Sequence, residues 1–213
     1  MDQKVKLKLE SFFSKYKEVK YKKGEIIIRP DDELSSIYLL RSGNIKQYSI
    51  TEDGNEVTIH IFRPYSFFPT MLVVGESENT YYFEAIGSVE LKRAPKADVI
   101  RLLKDEPEVL FDLTRRFALG INGLVKRLEN LMYEDAYNRV ISLLQYLSEK
   151  FGEKQDKHIV IKLPLTHRDI ATWVNLTRET TSRQLEKLTK AGIISYYQKL
   201  ITVKDPQKLE REL

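Results

Sequence analysis

The chain contains no cysteine. That excludes disulfides, thiolate-held iron–sulfur clusters, cysteine-ligated zinc and a cysteine nucleophile. Only three histidines occur, His60, His158 and His167, and no pair of them has metal-ligand spacing. Long apolar runs are missing, so neither a signal peptide nor a membrane span is expected, and a cytoplasmic protein is. Low-complexity tracts and strong internal repeats are also lacking. No Ser/His/Asp spacing, phosphate-binding glycine-rich loop or apolar carboxylate pair appears, so an enzyme is not expected.

What is present gathers at one end, between Leu165 and Asp205. Thr166 is a good helix N-cap, and Asp169 three residues on approximates a capping box. Ile170, Trp173 and Val174 follow at helical spacing, and Asn175 tolerates the left-handed conformation of a tight helix end. Thr177 is a second N-cap. Leu185, Leu188 and Ala191 turn inward along a second helix that Gly192 stops. Two short β runs, Ile193–Ser195 and Leu200–Val203, then predict a hairpin wing. The pattern is that of a winged helix-turn-helix.

The second helix of such a unit meets the major groove with its N-terminal residues. Arg178, Glu179, Ser182 and Arg183 project from its first two turns. Arginine's fork fits guanine O6 and N7, and a carboxylate accepts from cytosine N4. Thr180 and Ser182 offer hydroxyls to phosphate or base, and the helix N-terminus itself favours a phosphate oxygen. Thr166, His167 and the wing residue Lys199 complete the candidate contacts. Charge agrees: residues 160–213 hold ten Lys/Arg against six Asp/Glu, whereas residues 1–159 hold 25 of each. The net +4 of the chain thus sits on this segment, as a phosphate-binding footprint requires. The balance is modest, so a dimer that doubles it is expected.

Upstream, residues 1 to about 18 read as a basic amphipathic helix with Leu7, Leu9, Phe12 and Phe13. Residues 19–97 read as short strands, among them 25–28, 37–40, 45–50 and 57–62, with tight turns at Gly43 and Asp53-Gly54. Such spacing suggests a β-roll or barrel. A long helix is predicted from about Glu108 to Glu134. Phe117, Ile121, Leu124, Leu128 and Leu131 are spaced 4, 3, 4, 3 along it, a heptad seam for a parallel dimer. An amphipathic helix from Asn138 to Lys150 follows, then a polar loop from Gly152 to Lys157.

Taken together, Arg178 to Arg183, the turns Lys23-Gly24-Glu25, Ser42-Gly43 and Asp53-Gly54-Asn55-Glu56, and the order of elements resemble the cyclic-AMP receptor protein / fumarate-nitrate-reduction regulator superfamily. The resemblance covers nearly the whole chain. It implies an α+β fold in three parts. These are a cyclic-nucleotide-binding-like β-roll (1–107), a dimerisation helix (108–135) and a winged helix-turn-helix DNA-binding domain (136–213). It also implies a homodimeric transcription regulator on a pseudo-palindromic operator, commonly an activator that touches RNA polymerase. The family's base-reading roles fall on Arg178, Glu179 and Arg183, a trio that accompanies TGTGA-like half-sites. Ser182 resembles instead the branch with TTGAT-like sites. A TGTGA-like operator is expected, because Arg178 adds a guanine reader.

Cyclic AMP itself is not expected. Pro69-Thr70 and Asn79-Thr80 stand where that branch carries its ribose-binding carboxylate and phosphate-pairing arginine, and a buried phosphate without a cation is costly. Phe68, Met71, Leu72 and Tyr82, with Leu124 and Val125 from the long helix, form a candidate apolar effector pocket. They equally suit the core of a roll that binds nothing, which leaves a constitutive regulator or repressor. A haem-based gas sensor is a further alternative, with His60 and Met71 as axial ligands. Otherwise they are a packed strand histidine and a core methionine.

Overall fold

The computed structural model describes residues 2–197 and 200–211. The chain divides into two units. One runs to Gly54 and resumes over Ile59–Asn122; the other comprises Asn55–Thr58 and everything from Gly123.

The first unit opens with α1 (Gln3–Ser14), capped by the Asp2 carboxylate, which accepts from the Lys4 N–H. Val5, Leu9 and Phe13 form its buried face, one residue per turn. Leu7, expected on that face, points to solvent at 56% exposure. The strands β1 (Lys17–Tyr21), β2 (Ile26–Ile28), β3 (Ser36–Ser42), β4 (Ile45–Ile50), β5 (Glu56–Phe62), β6 (Phe67–Phe68), β7 (Tyr82–Ala85) and β8 (Val89–Pro95) follow. They make two four-stranded sheets, ordered β1-β8-β3-β6 and β2-β7-β4-β5. The pairs β1 with β8, β2 with β7, β3 with β6, β3 with β8 and β4 with β7 are all antiparallel. Interposed are α2 (Thr70–Val74) and, after the last strand, α3 (Lys96–Asp105).

Period-two alternation decides what each strand buries. On β3, Ile37 and Leu39 join α1 and α3 in one core, while Tyr38 and Leu40 enter the interior of the roll. On β6, Phe67 and Phe68 divide the same way. Gly43, at φ +83°, turns β3 into β4 where a Cβ would collide with the Ser88 carbonyl, so the tight turn and the close approach both require glycine.

The long helix α4 (Pro107–Tyr133) begins in the first unit and ends in the second. The second unit continues with α5 (Ala136–Phe151), capped by Asp135. The segment expected to be a loop is instead a hairpin, β9 (Gly152–Gln155) and β10 (His158–Ile161), turning at Asp156 with φ +53°. All four residues of β9 are exposed, so only backbone pairing defines the strand. Next come α6 (His167–Val174), α7 (Arg178–Lys190), β11 (Ile194–Tyr197), β12 (Leu200–Val203) and α8 (Pro206–Arg211). The sheet here is ordered β11-β12-β10-β9, and Leu144, Ile161, Ile170, Trp173, Leu188 and Val203 lie in the unit's buried interior.

Candidate nucleic-acid interface

The Thr166 hydroxyl accepts from the Asp169 N–H at 3.1 Å, and the Asp169 carboxylate accepts from the Thr166 N–H at 2.8 Å. This is a complete capping box, and it also takes the Thr166 hydroxyl proton at 2.6 Å. Ile170, Ala171, Trp173 and Val174 anchor α6, and Asn175 ends it in the left-handed conformation, φ 52° and ψ 55°. Thr177 caps α7 by accepting from the Thr180 N–H. Thr181, Leu185 and Leu188 form the buried row of α7, which leaves Arg178, Glu179 and Arg183 exposed on its first two turns. Glu179 also sits where the helix dipole favours a negative charge.

Thr180 and Ser182 engage their hydroxyls within the protein, whereas the buried Thr181 hydroxyl has no hydrogen-bond partner among the described residues. Thr180 Oγ1 accepts from the Thr177 hydroxyl at 3.0 Å and from Arg183 Nη2 at 3.2 Å. An oxygen that accepts twice has only its proton left to offer outward. His167 Nδ1 lies 2.8 Å from Ser182 Oγ, which links α6 to α7. The His167 ring is also 5.7 Å from that of Tyr196 on β11. Tyr196 was not among the sequence-predicted contacts, since an aromatic residue in a short strand carries no signal of its neighbour. Lys199 lies outside the described residues.

Behind this face, Arg127 Nη2 donates to the carbonyls of Thr58 and Trp173, both at 2.7 Å. Burial pushes its guanidinium below the usual arginine range. Lys187 stands 3.7 Å over the Tyr137 ring. Both cations thus serve the fold of the unit.

On α4 the open apolar row differs from the predicted seam. Phe117 is half-buried against the first unit's core and Leu131 is half-buried too. Phe111, Ala118, Ile121, Val125, Leu128 and Met132 are exposed, and with exposed Thr114 they repeat at spacings of 3 and 4. Ile121 and Leu128 belong to both rows. Leu124, 49% exposed, flanks the open one.

The candidate effector residues do not share one environment. Phe68 is fully buried, its ring 5.6 Å from Tyr38, 5.1 Å from Phe62 and 5.6 Å from Phe83. Leu72 is buried and Tyr82 stacks on Tyr48 at 5.1 Å. Met71, expected in an apolar interior, is 57% exposed, because one turn of α2 that buries Leu72 and Val73 turns Met71 outward. Val125 is 50% exposed. Leu72 lines an open cleft of about 700 Å³ whose walls mix Leu34, Val73 and Ile100 with Asp31, Asp32, Glu33, Glu76, Glu78 and Lys96. His60 packs edge-on against Phe62 at 4.7 Å. Thr70 and Asn79, at the positions aligned with a nucleotide site, are both buried. Thr70 Oγ1 donates to the Phe67 carbonyl, and the Asn79 amide donates to the carbonyls of Arg29 and Tyr81. They latch the backbone.

Comparison with known proteins places these parts. Residues 138–212 match the family model described as a Crp-like helix-turn-helix domain, and residues 18–106 match the cyclic nucleotide-binding domain. The global nitrogen regulator of Nostoc sp. (strain PCC 7120) is 31% identical over 194 residues, 90% of this chain and 87% of that protein. A solved transcriptional regulator of the CRP/FNR family from Thermus thermophilus is 27% identical. It has a TM-score of 0.73, covering 92% of this chain and 97% of that one. A CooA mutant from Carboxydothermus hydrogenoformans has a TM-score of 0.79 at 22% identity, covering 95% and 89%, and shares the fold.

Proposed function

The chain belongs to the Crp/Fnr family of transcription regulators, and on that premise we propose that two copies join along the open row of α4 and bind a pseudo-palindromic operator in the cytoplasm. The observation that carries this reading is the start of α7. A doubly capped helix-turn-helix presents Arg178, Glu179 and Arg183 together, outward, from the first two turns of its second helix. Arg178 and Arg183 read guanine and Glu179 accepts from cytosine, which gives a TGTGA-like half-site. Thr180 contacts phosphate with its remaining proton, whereas Thr166 has both its donors on the Asp169 carboxylate and serves as the cap. The regulator acts as an activator through RNA polymerase.

The packing of Phe68 between Tyr38, Phe62 and Phe83 supports a roll whose own side chains occupy its interior. The commitment of Thr70 and Asn79 to backbone carbonyls supports the same view. On this reading the protein binds its operator without cyclic AMP, haem or an apolar effector in that place. Selection of operators from random duplexes with no added ligand tests both parts. A symmetric motif with half-sites one helical turn apart, rich in guanine at the positions lost in Arg178→Ala, is the expected result. Enrichment only after a small molecule is added would restore an effector to the mechanism.

A further inference from the structure

We propose that His167 sets the base preference of Ser182 by deciding whether that hydroxyl presents a lone pair or a proton to the groove. This rests on the reading of α7 as the helix that meets bases. Ser182 is half-buried on the second turn of α7, between Arg178 four residues before it and Glu186 four residues after. Its Oγ is 2.8 Å from Nδ1 of His167, the first residue of α6. The Tyr196 ring of the wing is tilted against the histidine, 5.7 Å between centroids.

A serine hydroxyl has one proton and two lone pairs. When the imidazole is neutral and carries its proton on Nε2, Nδ1 is an acceptor. Ser182 must then donate its only proton to His167, and what remains facing outward is a lone pair. That suits adenine N6 or cytosine N4, which are donors. When the imidazole is protonated, Nδ1 is a donor. Ser182 then accepts from it and turns its own proton outward, toward guanine O6 or thymine O4. The serine changes from acceptor to donor without moving its oxygen.

The charged groups next to His167 on α6 are Arg168 and Asp169, whose carboxylate is held by Thr166. On α7 the charged residues within a turn of Ser182 are Arg178, Glu179, Arg183 and Glu186. On β11 the neighbour is the Tyr196 ring. A protonated histidine also attracts phosphate, but that gain is equal on every duplex and cancels in a ratio of two sequences.

The test uses the full chain and the selected operator, varied one base pair at a time, in competition binding at about pH 8 and about pH 5.5, on either side of the range where imidazole titrates. One base pair of each half-site is expected to change preference. It should favour a donor-bearing base at the higher pH and an acceptor-bearing base at the lower, by roughly fivefold in each direction. Ser182→Ala should lose preference at that base pair at both pH values, and His167→Ala should show one relaxed preference at both. A wild-type preference that is the same at both pH values overturns the proposal, as does a shift that persists in Ser182→Ala. Arg183→Ala separates the two levels of the argument. If it and Ser182→Ala both bind every duplex like the wild type, the reading of α7 fails. If only the pH shift is missing, the reading stands and the role of His167 falls.

Discussion

Val125→Asp should dissociate the dimer, whereas Leu124→Asp, one residue away, should only weaken it. Val125 lies in the row that runs from Phe111 to Met132 and is 50% exposed in the isolated chain. Burying a whole valine is worth about 1.5–3 kcal/mol, so covering the open half contributes about 1 kcal/mol per chain and about 2 kcal/mol per dimer. Aspartate removes that and brings two carboxylates together in a parallel seam. Their repulsion adds about 1 kcal/mol if water reaches them and more if it does not. A total of about 3 kcal/mol weakens the dimer constant by roughly 100-fold. At Leu124 a carboxylate on the flank stays in water, and the loss is about tenfold or less.

Sedimentation equilibrium across a dilution series reads both constants, with far-UV circular dichroism to check that α4 keeps its helix. Phe117→Ala supplies the contrast. Its side chain is half-buried in the first unit's own core, so it should lower thermal stability by about 2 kcal/mol and leave the dimer constant unchanged. If Leu124→Asp gives monomers while Val125→Asp remains dimeric, the seam is the Phe117–Leu124–Leu131 row and the argument from exposure is wrong.

Three further outcomes are expected. Arg183→Ala should cost about 1–3 kcal/mol of discrimination between operator and random duplex, read by competition anisotropy, with an unchanged melting temperature because the side chain is exposed. Equal loss on both duplexes would make Arg183 a phosphate contact only. Arg127→Ala removes a buried guanidinium whose Nη2 serves two carbonyls and which stands over the Trp173 ring, and should destabilise the second unit by about 2–3 kcal/mol in urea titration; Arg127→Lys should recover only part of this. Glu108 pairs with Lys4 at 2.7 Å and Lys8 at 2.8 Å, which holds its carboxyl down at about 2. A carboxyl depressed by folding stabilises above its unfolded pKa and loses that contribution as pH falls. The gap between wild type and Glu108→Gln should therefore be constant above about pH 5 and vanish near about pH 2. A gap that widens in acid would contradict the pairing.

The helix-turn-helix was legible because side chains write its boundaries. Thr166 with Asp169, Asn175 and Thr177 act within three residues of themselves, so a one-dimensional reading finds them. The strands of the roll were legible for a related reason: alternation and glycine turns are local. The hairpin of β9 and β10 was not, because Gly152–Gln155 are all exposed and are held by backbone pairing and one surface ion pair, Glu153 with Lys162. On α4 the sequence shows a 3–4 repeat but not which row stays open. Two rows of a long helix carry the 3–4 repeat and share Ile121 and Leu128. What separates them is that this chain's own core covers Phe117, a fact of tertiary packing. Along α2 the sequence could not say which apolar residue points inward, because a single turn sends Leu72 inward and Met71 outward.

The start of α7 shows how reading and folding share residues. The cap that starts the helix also begins the chain that holds Arg183, from Thr177 through Thr180 to the guanidinium. A free arginine carries about 2 kcal/mol of rotamer entropy, and any of it surrendered before DNA arrives need not be lost on binding. Ser182 is likewise oriented in advance by His167 from the neighbouring helix. Lys187, about one and a half turns further along, lies over the Tyr137 ring. The modest net charge of the chain fits this arrangement. With only +4 available per copy, affinity from phosphates alone is limited, and on the proposed reading Arg178, Glu179 and Arg183 supply the selectivity.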